Sequence, residues 1–243
     1  MTDPLDILYT PIDCGPPPAY DVEVVRKWIS VNYEAQAQYR EFLNAKGRAA
    51  EHIIENYPWD LTPAYWNLLD KGPGWLGGFN ELFPELVSYL PEAFGIPIED
   101  FGMMLLLPIK DNHTGLGFWH NDSDSFGMRM YLEFEASDQN KLMMRRTKIR
   151  YPSRVGFQVP MDESVLQAEV LTCKLLHERQ CFFLNNVRAV HATYTAVPNK
   201  TRIAVLMTPK FTNAQSVNER LANLVLRSAA KFPEHAIRWE PEP

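Results

Sequence analysis

The chain has 243 residues, with 24 Lys plus Arg against 30 Asp plus Glu for a formal charge of −6, and 46% of its residues are apolar and 12% aromatic. This composition excludes a disordered or collagen-like chain and predicts one globular domain with a buried core, since β-rich domains of about 200–250 residues are common as single units. The acidic balance speaks against a dedicated nucleic-acid binder, and three cysteines (Cys14, Cys173, Cys181) without C-x-x-C spacing predict neither a disulfide framework nor a zinc ribbon.

No Lys or Arg precedes Arg26, whereas Asp3, Asp6, Asp13, Asp21 and Glu23 are acidic, which is the wrong chemistry for a leader peptide. The longest apolar run, Met103 to Ile109, falls far short of the roughly 20 residues of a membrane helix. A cytoplasmic protein with no membrane partner is expected.

Prolines 4, 11, 16, 17 and 18 predict an extended lead-in, because proline fixes φ and disfavours helix before it. Asp21 is placed to cap a helix running to about Lys46, with Val25, Trp28, Ile29, Tyr33, Tyr39 and Leu43 at helical spacing. Tyr57 to Phe79, rich in proline and glycine, reads as an irregular connection pinned by Trp59, Tyr65, Trp66 and Trp75. Leu82 to Leu90 reads as a short helix entered through Pro84.

After Gly95 the pattern turns to β. Phe101 to Leu107 is apolar on both faces, as in a covered central strand. Met128 to Phe134 alternates, with Arg129, Tyr131 and Glu133 on one face and Met128, Met130, Leu132 and Phe134 on the other. Ser153 to Val159, Ala168 to Leu176, Cys181 to Leu184 and Thr201 to Thr208 are further strands, separated by turn residues at Asp138 to Asn140, Glu178 to Gln180 and Asn185-Asn186. Ser216 and Glu219 suggest a capping box for a last helix carrying Val217, Leu221, Leu224 and Val225. Helices, then a block of short strands, then one helix predict a mainly β fold with flanking helices: a cupin-like jelly roll, the double-stranded β-helix. The expected organisation is one domain, with 1–95 as helical and irregular support, 96–212 as the jelly-roll core and 213–243 as C-terminal helix and tail.

Chemistry concentrates in His120-Asn121-Asp122, ahead of the alternating strand, in His191 after the Asn185-Asn186 turn, and in Arg202 eleven residues beyond His191. Two neutral imidazoles and one carboxylate on one face of an octahedral metal leave three positions open, the arrangement that suits non-haem Fe(II) activating dioxygen. Asp124 is the rival ligand, and the H-x-D spacing selects Asp122.

H-x-D, a distal His and an Arg about ten residues later resemble the Fe(II)- and 2-oxoglutarate-dependent oxygenase superfamily. Leu82 to Gly127 and Glu178 to Arg202 look closest to the aspartyl/asparaginyl β-hydroxylase and small amino-acid (proline) hydroxylase group. The resemblance implies that His120, Asp122 and His191 bind iron, that Arg202 holds the distal carboxylate of 2-oxoglutarate, and that Arg129 helps. Where many members have Ser or Thr two residues after that Arg, this chain has Ala204, so Thr193 or Tyr131 would complete the carboxylate site. The implied activity is hydroxylation of an unactivated C–H of a free amino acid or similar small polar metabolite, consuming dioxygen and releasing succinate and CO2. A peptide or protein side chain is the alternative substrate, and a cupin-like isomerase or hydrolase the alternative class. Trp119, beside the motif, and Arg145 and Arg150, within the basic segment Lys141 to Arg154, are candidate substrate contacts. A solvated loop or surface position is the expectation for His113 and His177, and His52 and His235 have no role assigned.

Overall fold

The computed structural model describes residues 3–30, 66–67, 79–111, 115–116, 119, 127–133, 140–146, 167–176, 181–185, 188–195, 200–212 and 217–239. The helix expected beyond residue 30, most of the 57–79 connection, the strand expected at 153–159, and His120, Asp122, Asp124 and Arg150 lie outside the described residues.

The proline-rich lead-in contains a strand, β1 (Ile7–Pro11), buried along its whole length. Between Pro4 and Pro11 the chain offers Ile-Leu-Tyr-Thr, a short apolar and β-branched run, so the prolines bound a strand inside the expected extended lead-in. Helix α1 follows over residues 22–30. Asp21 caps it as expected, its Oδ1 accepting the Glu23 N–H at 2.8 Å. Then come β2 (Trp66–Asn67), α2 (Phe79–Leu82) and α3 (Pro84–Phe94). The last was expected to stop at Leu90 but continues through Pro91, burying Phe94 beside Leu86, Val87 and Leu90. It ends at Gly95, whose φ of 61° is the left-handed conformation that glycine adopts without strain.

Strands β3 (Phe101–Asp111), β4 (Gly115–Leu116), β5 (Gly127–Glu133), β6 (Asn140–Arg146), β7 (Glu169–Cys173), β8 (Cys181–Leu184), β9 (Val190–Thr195) and β10 (Lys200–Pro209) follow in order. Helix α4 (Glu219–Lys231) and the short β11 (Ile237–Arg238) close the described chain. Asn218 caps α4, with Oδ1 accepting from the Arg220 and Leu221 N–H groups at 3.0 and 3.4 Å, so the cap sits two residues later than the expected Ser216. β3 outruns its expected end at Leu107 and passes Pro108. Among the described residues β2 pairs with it at Leu105 and Leu106, ahead of the proline.

Among the described residues the strands form two antiparallel sheets, ordered β11-β1-β8-β5-β10-β3-β2 and β4-β9-β6-β7. From β3 to β10 the pairing nests: β3 with β10, β4 with β9, β5 with β8 and β6 with β7. That is the pairing of one long hairpin, and the further pairs β5–β10 and β6–β9 show it rolled up into two sheets. β1 then extends the larger sheet beyond β8, and β11 extends it beyond β1.

Each face of the larger sheet has its own core. On one face Ile203, Val205, Met207, Met104, Leu106 and Phe183 pack against Leu86, Leu90, Leu221, Leu224 and Val225 of α3 and α4. On the other, Leu8, Tyr9, Phe182, Leu184 and Ala204 meet Leu142, Met144 and Cys173 of the smaller sheet. Alternation along β10 divides its side chains between the two. Tyr9 ties the sheets directly: its hydroxyl donates to the Lys174 carbonyl just after β7 at 2.8 Å, and its ring lies 5.6 Å from that of Phe182. Among the described residues no helix is long and apolar enough to cross a membrane.

Tyr9→Phe should keep the ring packing and lose the hydroxyl's bond to the Lys174 carbonyl, lowering stability by about 1 kcal/mol. Leu90→Ala should cost about 2–5 kcal/mol through the cavity it leaves. Urea unfolding of both variants checks the contrast.

Candidate functional site

The turn after β8 is built on a fully buried asparagine. Asn185 donates its backbone N–H to the Leu8 carbonyl at 2.9 Å and its Nδ2 to the Leu5 carbonyl at 3.0 Å. Its own carbonyl accepts from Arg188 and Ala189, the latter at 2.7 Å, and its Oδ1 accepts from the Arg188 N–H at 3.1 Å. A buried amide is costly unless its donors and acceptors are satisfied, and here they fix both the N-terminal strand and the turn into β9.

That turn delivers His191. β9 is a strand not expected from the sequence, although Val190-His191-Ala192-Thr193-Tyr194-Thr195 has β-favouring composition. His191 is 2% exposed and stands opposite Met144, and Thr193, also buried, stands opposite Leu142. Met144 and Leu142 belong to the core between the sheets, so His191 and Thr193 occupy the inner face of the smaller sheet. The His191 Nδ1 lies 2.9 Å from the Ala189 carbonyl oxygen. A carbonyl only accepts, so Nδ1 carries the proton and, in the neutral ring, Nε2 carries the lone pair. A backbone carbonyl fixing one ring nitrogen while the other is left as donor is the usual second partner of a metal-ligating histidine. The donor chemistry of His191 therefore fits a metal ion.

Across the interior, Ala204 is 5% exposed within the inter-sheet core, and Arg202, two residues earlier on β10, shares its face. Tyr131 is the register partner of Ala204 and Arg129 that of Leu206. The ladder then shifts: Ile203 pairs with Glu133, so Leu132 is an extra residue on β5. Strict alternation expected Glu133 to keep company with Arg129 and Tyr131; the bulge breaks that register after Tyr131.

Of the residues expected from the sequence, His191 and Thr193 lie on β9, Arg202 on β10, and Arg129 and Tyr131 on β5. Arg145 lies on β6 opposite Val190, the alternate face from Met144 and His191. Its guanidinium sits 4.6 Å from the centre of the Trp119 ring and donates to the Ala168 carbonyl at 3.3 Å. Two candidate substrate contacts are thus partners of one another. β6 itself was not expected: Lys141, Arg145 and Arg146 mask the alternation of Leu142 and Met144 that makes it a strand. Among the described residues no three His, Cys, Asp or Glu side chains cluster to hold a metal; His120 and Asp122 are outside that set.

No protein-family model and no curated protein matches the sequence. Among solved structures the chain is similar to SnoN, a non-heme alpha ketoglutarate dependent epimerase from nogalamycin biosynthesis, with a TM-score of 0.44, 13% identity, and coverage of 84% of this chain and 79% of that one. A similar likeness holds to AviO1 from Streptomyces viridochromogenes Tue57, with a TM-score of 0.41, 12% identity, and 87% and 95% coverage. SnoK, a non-heme alpha ketoglutarate dependent carbocyclase from nogalamycin biosynthesis, gives a TM-score of 0.40, 14% identity, and 84% and 80% coverage. At this level of identity no residue takes its role from these proteins, and the functional case rests on the side chains described above.

The stacked pair is open to a double-mutant cycle. Arg145→Met and Trp119→Leu should show a coupling of about 0.5–1 kcal/mol in unfolding free energy, as a partly exposed cation–π pair does; additive effects would show that the two side chains do not support one another.

Proposed function

We propose that this chain is an Fe(II)- and 2-oxoglutarate-dependent oxygenase built on a double-stranded β-helix, and that it hydroxylates an unactivated C–H of a free amino acid or similarly small polar metabolite. The nested pairing of β3 to β10 supports the fold. The observation that carries the function is His191: a buried imidazole on the inner face, its tautomer set by the Ala189 carbonyl so that Nε2 is the donor atom.

In this reading His120, Asp122 and His191 hold the iron. Iron and 2-oxoglutarate together supply dioxygen activation, with succinate and CO2 as coproducts. The chain's own residues bind and orient. Arg202, on the face of β10 that carries Ala204, is the partner for the distal carboxylate of 2-oxoglutarate, because a guanidinium offers a carboxylate two parallel donors. Arg129 is the supporting cation. Ala204 supplies no hydroxyl, and Tyr131, opposite it in the ladder, or Thr193, on the inner face of β9, is the candidate to do so. Trp119 and Arg145, with Arg150, are the candidate contacts to substrate.

Anaerobic addition of Fe(II) and then 2-oxoglutarate should produce a weak visible charge-transfer band. A protein that binds the metal without the band is not an oxygenase, and a cupin-like isomerase or hydrolase takes its place. Asp122→Ala should abolish succinate formation. Arg202→Leu should raise the KM for 2-oxoglutarate by about 10- to 100-fold, the loss of a charge-assisted hydrogen-bonded pair, with a smaller effect on kcat; an unaltered KM would move the carboxylate anchor to Arg129.

A further inference from the structure

A second reactive cluster lies on the helix-covered face of the larger sheet, where the chain leaves β1. The Ile12 N–H donates to the Cys181 carbonyl at 2.9 Å, and the Cys14 N–H donates back to the Ile12 carbonyl at 3.0 Å. This tight turn folds Cys14 against the first residue of β8. The two side chains meet on the helix-covered core, Cys181 within it and Cys14 packed against it, close enough for each thiol to shift the titration of the other. Tyr89 of α3 closes the cluster, its hydroxyl 3.5 Å from the Cys14 sulfur and donating to the Gly15 carbonyl.

The two sulfurs differ in environment. Cys14 is half-buried, whereas Cys181 is buried in the core between the sheet and its covering helices. The Cys14 thiol is drawn down to about 7, chiefly by its hydrogen bond with Cys181 and further by Tyr89, against burial and the nearby Asp13. Cys181 is pushed up, by the same bond first and by burial next. A partly exposed sulfur with thiolate character beside a buried thiol is the arrangement of an attacking and a resolving cysteine. Cys173 has neither property: it lies in the inter-sheet core with its thiol pushed up by burial.

We propose that Cys14 and Cys181 are a peroxide-responsive pair that closes to a disulfide between the segment after β1 and the start of β8. The oxidant is a hydroperoxide. The Cys14 thiolate attacks its O–O bond, an S–O bond forms, the O–O bond breaks, and the departing oxygen takes a proton to leave as water or alcohol. The sulfur, oxidised by two electrons, is now a sulfenic acid. Cys181 attacks that sulfur, an S–S bond forms, the S–O bond breaks, and the hydroxyl leaves as water with the Cys181 proton. Two thiols and one hydrogen peroxide thus give one disulfide and two waters.

Trypsin separates the three cysteines cleanly, onto peptides 1–26, 155–174 and 180–188. Full-length protein treated with hydrogen peroxide, alkylated under denaturing conditions and digested should yield 1–26 joined to 180–188, with the free thiols falling from three to one and Cys173 unmodified. Dithiothreitol should restore all three. Cys14→Ser should retain both remaining thiols. Cys181→Ala, if it folds, should leave a sulfenic acid at Cys14 that dimedone traps. The pair is overturned if peroxide leaves three thiols, if Cys14 passes to sulfinic acid without the cross-link, or if Cys14→Ser still loses two thiols.

Discussion

One buried side chain, Asn185, connects parts of the fold that are remote in sequence. Its amide and backbone bind Leu5 and Leu8 on one side and Arg188 and Ala189 on the other. Arg188 reinforces the link, donating to the Leu5 carbonyl at 3.0 Å and approaching Asp6. The N-terminal strand is therefore hydrogen-bonded to the same five-residue turn that sets the entry angle of β9. Because the Ala189 carbonyl ends that turn and receives the His191 ring, the tautomer of the candidate ligand is determined by a network that begins at residue 5. Buried polar networks of this kind are costly when partly satisfied and specifying when complete.

The two-core architecture follows from the same economy of faces. β10 pairs with β3 on one edge and β5 on the other, so its side chains have nowhere to go but up or down. Ile203, Val205 and Met207 take the helical side, which leaves Arg202 and Ala204 for the inner side.

Much of this was legible in the sequence. β3, β5, β8 and β10 could be read because their apolar residues either run unbroken or alternate cleanly, and the α3 and α4 stripes because their spacing is helical. What escaped was governed by tertiary context. β6 is a strand in which Lys141, Arg145 and Arg146 flank Leu142 and Met144, so the alternation of those two was hidden. β1 and β11 exist because β8 offers an unpaired edge, a fact no local window contains. The bulge at Leu132 is invisible to a two-residue period, which has no way to count an extra residue. The candidate site could be proposed from residue types at a spacing; the Ala189 carbonyl that orients His191 could not, because a backbone acceptor has no sequence signature.

The placement of β1 has a consequence for biosynthesis. Ile7 to Pro11 leave the ribosome well before their ladder partners, Phe182 to Leu184 and then Ile237 and Arg238. Until those partners are made, this apolar segment lacks the edges it joins. Long-range pairings of this kind raise contact order and slow the final folding step. The core of nested strands can assemble as β10 emerges, while β1, made before any of them, docks late, on an edge that stays open to intermolecular pairing until it does.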